Sequence, residues 1–159
     1  MSIVWAGENV VTHKIEIYVD GACRGNPGPG GWGVLLRHPK GERELSGAVR
    51  ETTNNQMELM AAIQGLKALT RSCHVVIYTD SKYVKHGITE WIRTWEQKAW
   101  KNSAGKPVKN QALWQELSEA VKHHHIEWRW VKGHSDHPEN DRVDALARAA
   151  IDRLLAGQP

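Results

Sequence analysis

The sequence has no long apolar segment and little cysteine. None of its hydrophobic runs approaches the ~20 residues that a membrane-spanning helix requires, so we expect no membrane span. The first ten residues lack a cationic stretch followed by an apolar one, and we expect no secretory signal. Cys23 and Cys73 lie far apart and without the spacing of a metal site. Two free thiols fit a reducing cytoplasm, where we expect the protein, and a disulfide between them is the alternative.

Composition indicates one ordinary globular domain with a mild excess of positive charge. The chain has 159 residues, of which 40% are hydrophobic and 25% are charged, which is enough for a single core. Neither a repeat nor a linker divides it, so we predict a loose lead-in over 1–13 and one domain over 14–159. The net charge of +3 permits a polyanionic partner without requiring one, so the positions of the charges matter more than their sum.

Two predicted strands end in an aspartate. Residues 74–80 form a short apolar run rich in β-branched residues, typical of a strand buried on both faces, and Asp80 closes it. Residues 14–20 alternate between polar and apolar side chains and end at Asp20, before a Gly- and Pro-rich turn over 21–31. Ligands of open α/β sheets gather at the carboxyl ends of the strands, so both aspartates are candidate site residues.

The remaining elements follow from hydrophobic periodicity and turn residues. We predict strands over 32–37, 42–49 and 126–131, helices over 53–69, 81–86, 113–121 and 143–154, and a polar loop over 132–140. The helix over 81–86 is expected to end near Gly87, and His123, His124 and His125 are expected to end a helix rather than bind a metal. Asp144 is expected in the first turn of the last helix.

Glu58 lies on the side of its predicted helix that should face the sheet. At ~100° per residue it is opposite Lys67 and shares its side with Ala61, Ala62 and Gly65. A charged side chain that points inward is costly unless it is paired or metal-bound. Glu58 is therefore the acidic residue that a purely structural reading explains least well.

Residues 88–109 read as a basic projection inserted between core elements. Trp91 and Trp95 recur at helical spacing within it, while Gly105 and Pro107 interrupt it. Its positive charges are Arg93, Lys98, Lys101, Lys106 and Lys109.

Four acidic residues, Asp20, Glu58, Asp80 and Asp144, are candidates for one metal site. Clustered carboxylates repel one another unless cations neutralise them. Two hard divalent ions about 3.5–4 Å apart can activate a water and stabilise the leaving oxygen of a phosphodiester. Taken singly, each aspartate is also explained as a turn residue, a helix cap or a favourable charge at a helix start. Spacing alone leaves both readings open.

The order of four motifs closely resembles ribonuclease H of the bacterial type-1 family. The motifs are YVDGACRGNPGPGG (18–31), TTNNQMELMAAI (52–63), YTDS (78–81) and WVKGHSDHPENDRVD (130–144). The resemblance implies an α/β, ribonuclease H-like fold with a five-stranded mixed sheet in order 3-2-1-4-5 and helices on both faces. It also implies endonucleolytic hydrolysis of the RNA strand of RNA–DNA hybrids to 5′-phosphate and 3′-hydroxyl ends, with two Mg²⁺ ions or with Mn²⁺ in their place.

The resemblance also implies roles for individual residues. The catalytic and metal-binding carboxylates fall on Asp20, Glu58, Asp80 and Asp144, and the catalytic-loop histidine falls on His134. Substrate contacts fall on Cys23, Asn26, Thr53, Asn54, Asn55, Lys82 and Trp91, and on the basic projection through Lys98, Lys101, Lys106 and Lys109. Asn54 or Asn55 can instead cap a helix, and Trp91 and Trp95 can instead belong to the core. The expected partner is the hybrid, with no obligate protein partner and a monomeric chain.

Two departures from the family pattern bear on affinity. Glu96 and Gln97 stand where the family often has a basic run, so we expect weaker binding of the hybrid. Lys82 stands where a groove-contacting glutamine is common, and its ammonium cannot accept a hydrogen bond, so that contact should shift to a phosphate. Rival readings are a non-catalytic hybrid-binding module, another nuclease such as a junction resolvase or transposase core, and a structural domain, for which an inward Glu58 is unexplained.

Overall fold

A five-stranded mixed sheet forms the centre of the protein. The computed structural model describes residues 14–132 and 137–157. The strands lie in the order β3-β2-β1-β4-β5; β2 is antiparallel to β1 and β3, whereas β4 is parallel to β1 and β5. This order confirms the predicted topology. The strands are β1 (Lys14–Cys23), β2 (Gly28–His38), β3 (Gly41–Thr52), β4 (His74–Thr79) and β5 (His125–Trp130).

Helices cover both faces of this sheet. They are α1 (Asn54–Lys67), α2 (Lys82–His86), α3 (Ile92–Gln97), α4 (Gln111–Val121) and α5 (Pro138–Leu155), with a π-helical turn over Gly87–Trp91 between α2 and α3. None of the helices in the described parts of the chain is long and apolar enough to cross a membrane.

The main core lies between the sheet and helices α1 and α4. The apolar side chains of β1, such as Ile17 and Val19, point to this face because successive strand residues alternate. Leu59 and Ile63 meet them from α1, and Trp114 of α4 is fully buried at the same layer. The arrangement explains why the polar residues of α1 lie on its outer side.

Helix α5 packs on the opposite face, where two glycines of β2 permit a close approach. A Cβ at Gly31 would lie 2.3 Å from the carbonyl oxygen of Ala147, and one at Gly33 would lie 2.3 Å from that of Val143. Both distances are far below contact, so only glycine fits at either position. These glycines set the depth at which α5, and with it Asp144, lies against the sheet.

Several predicted boundaries are wrong at the ends of elements. Strand β1 continues past Asp20 to Cys23, so the turn is shorter than the predicted 21–31. Helix α5 already begins at Pro138, which suits a first helical position, so Asp144 lies in its second turn. His125 belongs to β5, and its ring stacks on that of His74.

The predicted cap of α1 needs correction, whereas the predicted end of α2 does not. Thr53, not Asn54 or Asn55, caps α1: its hydroxyl accepts from the Gln56 backbone, while the Gln56 side chain accepts from the Thr53 N–H. Helix α2 ends at His86 with Gly87 as its C-cap, which confirms the predicted end, and a π-helical turn follows directly over Gly87–Trp91. A Cβ at Gly87 would lie 1.9 Å from the Trp114 ring, so this glycine makes room for the indole.

The basic projection is held to the core by aromatic rings. Trp91, Trp95 and Trp100 follow one another at ring distances of 5.7 and 6.2 Å, and Trp95 also meets the buried Trp114. A short loop returns the chain through a bridge between Lys101 and Pro107. The core reading of Trp91 and Trp95 is therefore confirmed, since the rings are half-buried against the core cluster, while a substrate contact of Trp91 stays a prediction.

Replacing Gly31 by alanine should lower the free energy of unfolding by about 3 kcal/mol, because the added methyl group overlaps backbone rather than a movable side chain. Gly65→Ala is the matched control. Its Cβ would meet only methyl groups of Ile17 and Val34 at 3.0 and 3.3 Å, and the gain in helix propensity of about 1 kcal/mol offsets that crowding. Urea unfolding of both variants checks this; equal losses would contradict the packing argument.

Candidate active site

Three carboxylates from separate elements converge at one edge of the sheet. Strands β1 and β4 are parallel neighbours, so Asp20 and Asp80 emerge at the same edge. Glu58 reaches them from the sheet-facing side of α1. One oxygen from each of the three side chains lies within 4.8 Å of the other two. The predicted inward orientation of Glu58 is thus confirmed, and the three acids form a single cluster.

Glu58 is held in place by the backbone of β1. Its Oε1 accepts a hydrogen bond from the Gly21 N–H. A Cβ at Gly21 would lie 2.5 Å from the backbone nitrogen of Glu58 and 2.6 Å from the Met57 carbonyl carbon. The glycine that follows Asp20 in the sequence therefore lets α1 approach β1 closely enough for the two acids to meet.

Burial makes the charges of this cluster costly. Asp20 and Glu58 are only 6% and 5% exposed. Burial, and after it the negative charges of Asp80 and Asp144, raises the pKa of Asp20 to about 8. Burial, followed by the charges of Asp20 and Asp80, raises the pKa of Glu58 well above its ordinary value. Without a cation, the site favours the protonated form of Asp20 near neutral pH.

Asp144 lies beside the cluster and has a partner of its own. It is close enough to Asp20 to raise the pKa of that carboxyl, but it is not part of the set whose oxygens all lie within 4.8 Å of one another. Its Oδ2 accepts from the guanidinium of Arg148, one turn further along α5. The predicted fourth member is therefore adjacent, with its side chain 35% exposed and ion-paired to a neighbour.

The donor set suits a hard divalent cation. All the converging atoms are carboxylate oxygens, which Mg²⁺ and related ions prefer. Across residues 14–132 and 137–157, no lysine or arginine forms an ion pair with Asp20, Glu58 or Asp80. Two buried acids without a basic partner remain unfavourable until a cation compensates them.

Comparison with known proteins agrees with this geometry. The statistical model of the RNase H family matches residues 12–152. The chain belongs to the ribonuclease H family. It is 62% identical to the Ribonuclease H of Parvibaculum lavamentivorans over 146 residues, which cover 92% of this chain and 95% of that one.

Two solved structures extend the likeness to the fold. LC9-RNase H1, described as a type 1 RNase H with the type 2 active-site motif, gives a TM-score of 0.81 at 37% identity, covering 96% of this chain and 76% of that one. LC11-RNase H1, solved in complex with RNA/DNA hybrid, gives a TM-score of 0.65 at 27% identity, covering 89% of this chain and 99% of that one.

Membership confirms the predicted family, fold and class of enzyme. Ribonucleases H are metal-dependent endoribonucleases that hydrolyse the RNA strand of RNA–DNA hybrids. The bacterial type-1 assignment fits the curated relatives. The metal dependence of the family accounts for a cluster of buried acids that no other feature of the described chain explains.

The residues predicted to contact the ribonuclease H substrate near Asp20 lie at the end of β1, in the β1–β2 turn and at the start of α1. Asn26 accepts a hydrogen bond at 3.0 Å from the backbone N–H of Asn54, which joins the β1–β2 turn to the start of α1. Cys23 is half-buried, and its thiol donates to the carbonyls of Thr52 at 3.3 Å and Gly28 at 3.5 Å. Thr53 and Asn55 are half-buried and Asn54 is exposed; the contacts of these residues with substrate stay predictions.

The predicted lysine contacts are all on the surface. Lys98, Lys101, Lys106 and Lys109 of the projection are exposed, as is Lys82 on α2. Glu96, expected to weaken the basic run, instead accepts from the Ser118 hydroxyl at 3.1 Å and faces Lys122 of α4 at 3.7 Å. Its charge is therefore partly compensated within the protein.

One predicted residue cannot be placed, and others were missed. His134 falls within 133–136, outside the described residues. Arg148 could have been found from its i, i+4 spacing to Asp144. Trp130 could not have been found from the sequence, because only the pairing of β4 with β5 brings it next to Asp80. Its indole N–H donates to the Asp80 carbonyl oxygen at 3.2 Å.

Asp20→Asn should stabilise the metal-free protein at pH 8, by roughly 1–3 kcal/mol, because it removes a buried charge. The folded-state pKa of Asp20 is raised, so its contribution to stability is present at low pH and is lost as the pH rises from about 4 to about 8. The gain should therefore be smaller at pH 5, and Mg²⁺ should raise the unfolding midpoint of the variant less than that of the wild type. Urea and thermal unfolding with and without Mg²⁺ measure both effects.

Asp152→Asn is the matched control, since Asp152 is exposed and pairs with Arg24 on the surface. It should change the free energy of unfolding by no more than about 0.5 kcal/mol at either pH. A metal-free Asp20→Asn protein that is less stable than the wild type at pH 8 would contradict the assignment of charge repulsion.

Proposed function

We propose that the cluster of Asp20, Glu58 and Asp80, together with Asp144, cleaves the RNA strand of RNA–DNA hybrids with two divalent cations. The observation that carries the proposal is the convergence within 4.8 Å of oxygens from the buried Asp20 and Glu58 and the half-buried Asp80, without a basic partner in the described chain. The products would carry 5′-phosphate and 3′-hydroxyl ends. Mg²⁺ is the proposed cation and Mn²⁺ the alternative, because both are hard ions that take oxygen ligands.

Each residue of the site has a separate task. When bound, the two cations would neutralise the carboxylates, activate the attacking water and stabilise the departing 3′ oxygen. Glu58, oriented by the Gly21 N–H, and Asp20 serve as buried ligands, and Asp80 completes the set. Arg148 orients Asp144 from outside the cluster. His134 would accept a proton or help the product leave.

Discrimination of RNA from DNA is assigned to the surface around the start of α1. A protein identifies RNA by its 2′-hydroxyl groups across the shallow minor groove. Cys23, Asn26, Asn54 and Asn55 supply neutral hydrogen-bonding groups there, and Thr53 would lie near a phosphate of the DNA strand. The hydrogen bond between Asn26 and the Asn54 N–H supports this assignment, because it fixes two of these residues relative to each other.

The basic projection is assigned to the DNA strand. Its exposed lysines have no ion-pair partner in the described chain, so they are free to contact phosphates without regard to sequence. Trp91 would contact the sugar-phosphate backbone from the base of the projection, where its ring rests against Tyr83 and Trp95. We propose a monomer, since one chain supplies all the described groups, and a cytoplasmic location, since the two free cysteines suit a reducing compartment.

Labelled RNA–DNA hybrid, RNA duplex and DNA duplex, each with and without Mg²⁺, test the activity. We expect cleavage of the RNA strand of the hybrid only, and only with the cation. Asp20→Asn should reduce cleavage by at least about 10³-fold while hybrid affinity changes little. An Asp20→Asn protein that cleaves at the wild-type rate would refute the role of the cluster, and binding without cleavage by the wild type would favour the non-catalytic module.

Replacing Lys98, Lys101, Lys106 and Lys109 by alanine should weaken hybrid binding most at low salt. For every lysine that no longer pairs with a phosphate, the slope of log affinity against log salt should fall by about 1. Binding titrations at several salt concentrations measure this slope. Lys14→Ala with Lys40→Ala, at the opposite end of the sheet, is the control and should keep the wild-type slope; a quadruple variant that also keeps it would exclude the projection as a DNA-binding surface.

A further inference from the structure

An exposed tryptophan lies directly beside the carboxylate cluster. Trp130 is the last residue of β5 and is 38% exposed. Its indole N–H donates to the backbone carbonyl oxygen of Asp80 at 3.2 Å, so the ring has a fixed position relative to that acid.

Two lysines of α2 lie over this ring. The ammonium nitrogen of Lys85 is 5.0 Å from the ring centroid, and that of Lys82 is 5.9 Å from it. Both side chains are exposed, and neither forms an ion pair within residues 14–132 and 137–157. We call Trp130 with Lys82 and Lys85 the lysine–tryptophan platform.

Internal stability does not account for the platform. A single cation over an indole gains about 0.5–1 kcal/mol at an exposed site, but a second cation on the same ring repels the first. Lysines three residues apart on one helix side repel each other for the same reason. Two ammonium groups held together with no ion-pair partner in the described chain can take an anion as their ligand.

The position of the platform identifies that anion. It adjoins Asp80, where the proposed function places the scissile phosphate of the RNA strand. The nearest further negative charges are the neighbouring phosphates of the same strand. Compact ammonium groups bind phosphates as point charges, with no need for a fixed geometry.

We propose that Lys85 and Trp130 join Lys82, whose phosphate contact the family resemblance already implies, so that the lysine–tryptophan platform binds an RNA-strand phosphate next to the scissile one through its two lysines. Trp130 is a positioning residue: its ring holds both ammonium groups on one side, and its N–H ties them to the backbone of Asp80. The proposal rests on the proposed function, and it adds an interaction with the RNA strand that is separate from the DNA contacts of the basic projection.

The first experiment measures hybrid binding in the Asp20→Asn background, which should bind without cutting. Lys82→Ala with Lys85→Ala should weaken binding about tenfold at low salt, as expected for two exposed ion pairs, and should lower the salt slope by about 2. The matched control is Lys14→Ala with Lys40→Ala, which should leave both quantities unchanged. A double variant that keeps the wild-type slope would overturn the proposal.

The second experiment identifies the strand. Hybrids with one cleavable bond would carry an uncharged methylphosphonate either next to that bond in the RNA strand or opposite it in the DNA strand. The RNA modification should weaken hybrid binding by the protein that keeps Lys82 and Lys85. It should cause no further loss of affinity in the double lysine variant. If only the DNA modification abolishes the difference between the variants, the platform contacts the DNA strand and the proposal fails.

The third experiment separates the ring of Trp130 from its N–H. Trp130→Leu should raise KM about three- to fivefold and reduce the salt slope, because the ammonium groups no longer share a ring. Trp130→Phe should restore KM and the slope, since the ring is kept, while any change in kcat reports the absence of the hydrogen bond to Asp80. A Phe variant that behaves like the Leu variant in KM and slope would exclude the ring as the feature that positions the lysines.

Different results would contradict the proposed function and the role of the lysine–tryptophan platform. A wild-type protein that does not cut the hybrid with Mg²⁺ would contradict the proposed function. A wild-type protein that cuts, combined with an unchanged salt slope in the Lys82 and Lys85 variant, would contradict the platform alone.

Discussion

The burial of Asp20 and Glu58 at one sheet edge is the constraint on which the rest of the structure depends. Their carboxyl oxygens lie within 4.8 Å of each other and of Asp80, where burial withholds the water that would solvate the charges. Such a group is unfavourable by several kcal/mol unless protons or cations compensate it. We therefore expect a bound cation to stabilise this fold, so that the same electrostatic repulsion affects both the folding of the domain and its chemistry.

Close approaches of backbone make that arrangement possible. Gly21 brings α1 against β1, and its N–H supplies a hydrogen bond that holds Glu58. Gly31 and Gly33 do the same for α5, which carries Asp144. The glycines are therefore part of the active-site geometry, because each sets how near a carboxylate-bearing helix lies to the sheet. Changes at these positions should disturb packing and metal binding together.

Periodicity in the sequence predicted the features that depend on local pattern. The apolar run of β4 and the inward face of Glu58 follow from strand and helix repeats, and both agree with the structure. The start of α5 was misplaced because Pro138 sits among polar residues that resemble a loop, although proline suits a first helical turn. The Thr53 cap was misassigned because neighbouring asparagines have equal capping propensity, and only the Gln56 hydrogen bonds decide between them.

Contacts between elements that are far apart in the sequence could not be predicted from periodicity. Trp130 meets Asp80 and Lys85 only because β5 pairs with β4 and α2 follows β4.

The central claim, that divalent ions compensate the buried acids, is tested most directly by anomalous X-ray scattering from crystals of the protein soaked in Mn²⁺. The account predicts manganese coordinated by oxygens of Asp20 and neighbouring acids of the cluster. Crystals in which these carboxylates surround no manganese at saturating concentration would contradict it.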